Sequence, residues 1–417
     1  MSLKSESFIV FGCWNKYKDG IDPDQMPVKQ VTDKIKQYLN TVNTPNFLVI
    51  AGDNYYPSKT HTLTRDGDRV KTKEKIINPI RLRYGFDLLP KDITTYMILG
   101  NHDLDKLHGS LYIDDTGLDT PSKTNILGLE AADDCAIIKN EIAMVERLQT
   151  ENPNFLFEFN KSKIICNTLV LMIDTSIYDD IDAGIMLPCY INFIQYKYPN
   201  IPIDDITVDY LLELQKGFIF GEIEKYADKI SNIIFIGHHP ISGFKYKNNN
   251  VNQIVPTELF INMLYSVFTA HNKIKYYYIC ADLHNYQIGT LTIRKDGSEP
   301  MTIKQYIVGT GGTDLDTDPL NGKEPKDPYI NAPYEVTYSM TPRERDICRG
   351  VKHGFLECIC RDGSDLHFVF YPVDPTKIPF EGGNKLLKKM KINNRSKKYK
   401  NMKLKLKKTL HKRRVKI

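Results

Sequence analysis

Cys13, Asp53, Tyr56, Asn101, His102, His238, His239, Asp282 and His284 each stand just after a short apolar run. They carry thiol, carboxylate, phenol, amide and imidazole groups, all of which can ligate transition metals. One such residue ordinarily caps a strand or makes a single hydrogen bond. A succession of them points instead to a metal centre assembled from separate stretches of chain, because polar residues at the carboxyl ends of parallel strands converge on one crevice.

The runs that must position these residues lie at 8–11, 47–50, 96–99, 169–173, 233–236, 276–280 and 306–308. Each is rich in Ile, Val, Phe or Tyr and stops at a small or turn-forming residue, as strands buried on both faces do. Between the first two, Val28, Val31, Ile35 and Leu39 recur at helical spacing, giving the crossover that parallel strands need. Helical spacing returns at 136–148, from Leu211 to Ile230, and from Leu259 to Phe268. Asp296-Gly297-Ser298 and Asp362-Gly363-Ser364 sit between strand-like runs and predict hairpins. The expectation is an α/β fold of layered sheets with helices outside, with excursions near 104–165 and 177–207.

Four of the chemistry-bearing stretches, GDNYY at 52–56, GNHD at 100–103, GHHP at 237–240 and ADLHN at 281–285, fall in the order found in calcineurin-like metallophosphoesterases. The resemblance spans roughly residues 8–370, and the Gly-Asp-Asn-Tyr-Tyr form is most similar to the purple acid phosphatase branch. It implies a sandwich of two mixed β-sheets flanked by helices. It also implies a site with two divalent metal ions (Fe, Mn or Zn), which hydrolyses phosphate esters, by default monoesters, through attack of a metal-bound hydroxide. Carried over by position, Asp53 bridges the ions, Asn101 and His238 bind one, Tyr56 and His284 bind the other, and His102 assists departure of the alcohol.

Two positions depart from the family. Where the first motif normally supplies an Asp ligand, this chain has Cys13; where the last normally begins with His, it has Asp282. Both can still ligate, which places Asp282 with Asp53, Asn101 and His238, and a Cys13 thiolate with Asp53, Tyr56 and His284. The bland alternatives are a buried Cys13 and an Asp282 that only accepts hydrogen bonds. Asn15 reads as a turn residue, His239 as a hydrogen-bonded loop histidine, and Asp103, Asp105, Asp114, Asp115 and Asp119 as solvated loop acids. Because both departures fall on ligand positions, a catalytically degenerate fold kept as a scaffold or binding module stands beside the enzyme reading.

Of 417 residues, 41% are apolar and 26% charged, which excludes a disordered or collagen-like chain. No apolar run approaches the roughly 18 residues of a membrane span. The net charge of +5 divides unevenly: residues 385–417 hold 16 of the 56 Lys and Arg and no acid, leaving 40 bases against 51 acids, or −11, elsewhere. The expected organisation is a phosphoesterase domain over 1–384 and a basic tail over 385–417, an electrostatic anchor for nucleic acid or an anionic surface. Eight cysteines show no paired framework. With a strand starting at Phe8 and no room before it for a signal peptide, the expectation is an intracellular, reducing location.

Overall fold

The computed structural model describes residues 5–17, 21–40, 44–56, 61–62, 73–74, 79–105, 135–178, 180–247, 250–254, 257–316, 329–331, 333–350, 352–361 and 365–373. The basic tail at 385–417 and the acids Asp114, Asp115 and Asp119 lie outside them.

In chain order the elements begin with β1 (Ser5–Phe11), α1 (Pro27–Leu39), β2 (Phe47–Ala51), the short strands β3 (His61–Thr62) and β4 (Lys73–Glu74), α2 (Pro79–Leu88) and β5 (Thr95–Ile98). There follow α3 (Ala136–Glu151), β6 (Phe155–Phe157), β7 (Lys161–Ile165), β8 (Thr168–Met172), α4 (Asp180–Lys197), α5 (Val208–Tyr226) and β9 (Asn232–Ile236). A ribbon of β10 (Phe244–Lys247) and β11 (Asn250–Gln253) precedes α6 (Glu258–Ala270), β12 (Lys275–Cys280), β13 (Tyr286–Lys295) and β14 (Met301–Val308). The chain continues through β15 (Tyr329–Asn331), β16 (Tyr334–Ser339), α7 (Pro342–Cys348), β17 (Gly354–Arg361) and β18 (His367–Pro372).

Two mixed sheets result. One has the order β18-β17-β1-β2-β5-β6, the other β15-β16-β13-β14-β12-β9-β8-β7. The middle of each is parallel, β1 to β2 to β5 to β6 and β8 to β9 to β12 to β14, and antiparallel strands extend the flanks. The central strands β2, β8 and β9 are buried along their whole length, as continuous apolar runs require. The sheets meet through aromatic contacts: Phe368 of β18 stacks on Tyr306 of β14, and Phe370 on Tyr286 of β13. Helix α1 shows why sequence periodicity becomes packing. Pro27 opens it, and Val28, Val31 and Ile35 bury one stripe.

The fold matches the expected α/β sandwich. Three features differ from the sequence reading. The 177–207 excursion contains the long helix α4, in which Cys189, Tyr190, Phe193 and Ile194 are buried together. The 104–165 excursion ends in β6 and β7, which close one edge of each sheet. The cysteines are not all unpaired: Cys135, just before α3, is disulfide-bonded to Cys189 of α4, 54 residues away. Packing of α3 against α4, not proximity in sequence, brings the two sulfurs together. Cys13, Cys166, Cys280, Cys348, Cys358 and Cys360 form no disulfide.

Candidate metal centre

Cys13 follows β1, Asp53 follows β2, and Asn101 and His102 follow β5, three adjacent parallel strands of the first sheet. His238 and His239 follow β9, while Asp282 and His284 lie between β12 and β13 of the second. The carboxyl ends of both sheets face each other, and backbone bonds join them: Gly12 N donates to Val308 O at 3.2 Å, and Gly311 N to Gly12 O at 2.9 Å.

The turns carrying these residues are tight. Cys13, Asp53 and Asp282 have φ of 51°, 54° and 50°, in the left-handed region that non-glycine residues rarely occupy. Strained backbone held at the ends of buried strands is a mark of sites where the side-chain direction matters. Gly52, at φ 79°, makes the Asp53 turn possible.

Asp53 is the hub. Its Oδ1 lies 3.1 Å from His238 Nε2 and accepts from His102 N at 3.1 Å. Its Oδ2 accepts from the Tyr56 hydroxyl and lies 3.8 Å from Cys13 Sγ. On the Oδ1 side, His238 Nε2 is also 3.1 Å from Asn101 Oδ1. On the Oδ2 side, the Tyr56 hydroxyl is 3.0 Å from His284 Nε2. The two oxygens of one carboxylate therefore face two different sets of ligating atoms.

Orientation of the imidazoles is fixed from behind. His238 Nδ1 donates to Ala51 O at 2.8 Å, which turns Nε2 to the cluster. His284 is pinned through its backbone, its N–H donating to Asp316 Oδ2 at 3.1 Å and its carbonyl accepting from Asp316 N at 2.8 Å. Thr175, after β8, receives His238 N at 3.1 Å and His239 N at 2.8 Å on its hydroxyl oxygen. His102 Nδ1 is 2.7 Å from Asp105 Oδ2.

The electrostatics follow from burial and charge. Burial alone would raise Asp53, but His238, His102 and the Tyr56 hydroxyl hold it well below the usual carboxylate range. Burial pulls His238 down, and Asp53 more than offsets this, lifting it to about 9. Burial and the Asp53 charge push Cys13 and Tyr56 up, so both keep their protons. Burial holds His284 below the ordinary imidazole value, in its neutral form. Carboxylate, amide oxygen, imidazole, phenol and thiol converge on one another, with Asp53 the charged group at their centre. Such a donor set suits a cation. Cys13, Asp53 and His238 present ligand atoms within 4.8 Å of one another, as do His238, His239 and Asp282.

Asn15 is a local support, donating through Nδ2 to Leu82 O at 2.8 Å and accepting from Gly85 N at 3.0 Å. His239 is hydrogen-bonded to Thr175, with Nδ1 at 3.2 Å from Oγ1, and also faces Asp282. The sequence reading of Asp103 and Asp105 as solvated loop acids is corrected. Asp103 is fully buried and accepts from Asn54 N at 2.6 Å, Asn54 Nδ2 at 2.7 Å and Gly100 N at 2.8 Å. Asp105 is spent on His102. Thr175 and Asp316 were not singled out either; the DTS turn at 174–176 was the only visible signal for the first.

The chain belongs to the calcineurin-like phosphoesterase family, which it matches over residues 8–286. That family is generally one of metal-dependent phosphoester hydrolases, and the match is to the family as a whole rather than to the purple acid phosphatase branch. Two solved structures are similar at low identity. One is GAP50, the anchor in the inner membrane complex of Plasmodium, at 12% identity and a TM-score of 0.39, covering 89% of this chain and 85% of that one. The other is TT1561 of Thermus thermophilus, at 8% identity and a TM-score of 0.33, covering 74% of this chain and 90% of that one. No curated protein matches the sequence. Among the described residues no helix is long and apolar enough to cross a membrane.

Proposed function

We propose that this protein is a two-metal phosphatase acting on phosphate monoesters, with Asp53 bridging two divalent ions of Fe, Mn or Zn. Asn101, His238 and Asp282 would hold one ion, and Tyr56, His284 and Cys13 the other. The observation carrying this reading is the division of the Asp53 carboxylate between two sets of ligating atoms. When bound, the cations supply the positive charge that polarises a phosphoryl oxygen and acidifies water. The chain's own residues do the rest. Ala51 O keeps His238 in the tautomer whose Nε2 points inward. Asp105 steadies His102 as a proton donor to the departing alcohol, a general-acid role worth about 10²–10⁴-fold. Tyr56 and Cys13 must surrender the protons they now share with Asp53 before they can ligate.

The test is a metal-reconstitution series read with an aryl phosphate monoester and a diester together. Asn101→Ala and His102→Ala should each lower monoester turnover by about 10²-fold or more; activity equal to wild type in both variants overturns the assignment. The scaffold reading is favoured by Cys13 and Asp282 alone. Calorimetry that detects no divalent ion binding would establish it in place of the enzyme. A rise in turnover on Cys13→Asp would mark a catalyst with one weakened ligand. We also propose that residues 385–417 anchor the protein to nucleic acid or another anionic surface, on the strength of their 16 basic and no acidic residues.

A further inference from the structure

Strands β8 and β9 run side by side until β8 turns away at Asp174, just where the chain after β9 enters the site. The last main-chain bonds there are Ile173 N to Ile236 O at 2.9 Å and, on the other side of β9, Gly237 N to Ile279 O at 3.0 Å. The next two N–H groups belong to His238 and His239. Both donate to the hydroxyl oxygen of Thr175, at 3.1 Å and 2.8 Å. One buried side-chain oxygen thus takes over where the ladder of main-chain carbonyls stops, and two N–H bonds fill both of its lone pairs. His239 Nδ1 lies 3.2 Å from the same oxygen.

Thr175 is itself held from outside the site. Gln215 of α5, fully buried, brackets residue 174: Asp174 N donates to Gln215 Oε1 at 2.9 Å, and Gln215 Nε2 donates to Asp174 O at 2.7 Å. Ser176 N donates to Asp174 Oδ1 at 2.8 Å and closes the turn on the other side of Thr175. Facing it, Tyr278 of β12 donates its hydroxyl to His239 O. Space is used up as fully as bonding. A Cβ on Gly237 would stand 2.5 Å from Thr175 Cγ2 and 2.6 Å from the Tyr278 hydroxyl.

We infer that Thr175 is a positioning residue for the candidate site: its hydroxyl oxygen fixes where the His238–His239 backbone lies, and with it the placing of the His238 imidazole against Asp53 and Asn101. Thr175 acts on the main chain of His238, whereas Ala51 O acts on its ring. Removing the oxygen leaves two N–H groups without their acceptor, and the turn must move to satisfy them. The consequence for metal binding rests on the proposed function; the hold on the turn does not.

Two readouts separate these. Thr175→Val keeps the shape and removes the oxygen; Thr175→Ser keeps the oxygen and removes the methyl group. The first readout is amide hydrogen exchange of the metal-free protein, resolved by residue. The His238 and His239 amides should exchange about 10-fold or more faster in Thr175→Val than in wild type or Thr175→Ser, with the β9 and β12 amides unchanged. Equal rates in wild type and Thr175→Val overturn the inference whatever the metal does. The second readout is Mn²⁺ calorimetry. Thr175→Val should bind about 10–100-fold more weakly, and Thr175→Ser within about 3-fold of wild type. Wild-type affinity in Thr175→Val, or an equal loss in Thr175→Ser, overturns the positioning role. If the exchange rates differ as expected and wild type binds no ion, the functional proposal fails and the hold on the turn stands. If Thr175→Val does not fold, Gln215→Leu takes its place: freeing residue 174 from α5 should speed exchange of the same two amides and weaken Mn²⁺ binding by about 3-fold or more. Neither change in that variant would overturn the inference as well.

Discussion

Gly52 sits where strand β2 hands the chain to Asp53, and at φ 79° it adopts a conformation that a Cβ opposes. A Cβ there would stand 2.6 Å from His238 Nδ1 and 2.8 Å from Gly100 Cα, the first a contact of the imidazole that faces Asp53. Gly52→Ala should therefore cost about 1–3 kcal/mol in urea unfolding and weaken divalent-ion binding as His238 is displaced from Ala51 O; an unaltered midpoint would show the turn to be more tolerant than its geometry. Asp174 gives a pH signature of its own. It is wholly buried after β8, and burial raises it to about 6 despite the Tyr190 hydroxyl and Ser176 N–H beside it. Its folded value lies above its unfolded one, so its contribution is fully present below about pH 4 and is lost as pH rises towards 6, a loss of roughly 3 kcal/mol. Asp174→Asn should flatten the stability profile across that window, and an identical slope in the variant would remove Asp174 as its source. At this scale the sequence was legible where chemistry and strand ends coincide: Asp53, Asn101, His238 and His284 stand out because an apolar run stops just before each. Asp103, Glu141 and Asp316 did not stand out. An acidic residue in a loop or on a helix reads the same whether water or the protein interior surrounds it, and only packing decides which.

The elements were legible in proportion to how uneven their burial is. Helix α1 shows one apolar stripe and one charged face, and its period announces it. Helix α4 is apolar on most sides, so no stripe contrasts with another, and it read as an excursion. The edge strands β6 and β7 are short, and β7 carries two lysines, which hides the sheet edge each provides. The same blind spot covered the disulfide, since Cys135 and Cys189 flank segments whose helices were not both visible. Joining residues 54 apart removes closure entropy worth about 4 kcal/mol from the unfolded chain. Reduction, or Cys135→Ser, should lower the unfolding midpoint by several degrees, and a non-reducing peptide map should recover the Cys135 and Cys189 peptides as one cross-linked species. A map with both as free thiols would remove the bond and the stabilisation with it.

For the molecule as a whole, apolar strand runs joined by helical crossovers, then hairpins, were enough to specify layered mixed sheets. The order of the strands within them was not, because β17 pairs with β1 across some 350 residues and nothing local records that pairing. Charge is the other whole-chain property. A body of net −11 repels polyanions, so any binding to nucleic acid has to come from the 16 bases of 385–417. Each phosphate those bases neutralise on duplex DNA should add about 0.9 to the negative slope of log affinity against log salt. The 417-residue chain should thus bind a short duplex steeply more weakly as salt rises, with little preference for sequence. The chain ending at residue 384 should bind it barely at all while hydrolysing a small aryl phosphate at the rate of the 417-residue chain. Duplex binding that survives the deletion with the same slope would place the cationic surface on the body, against its net charge. Loss of hydrolysis on deletion would mean the tail takes part in the reaction itself, which its composition, with one histidine and no acid, gives no reason to expect.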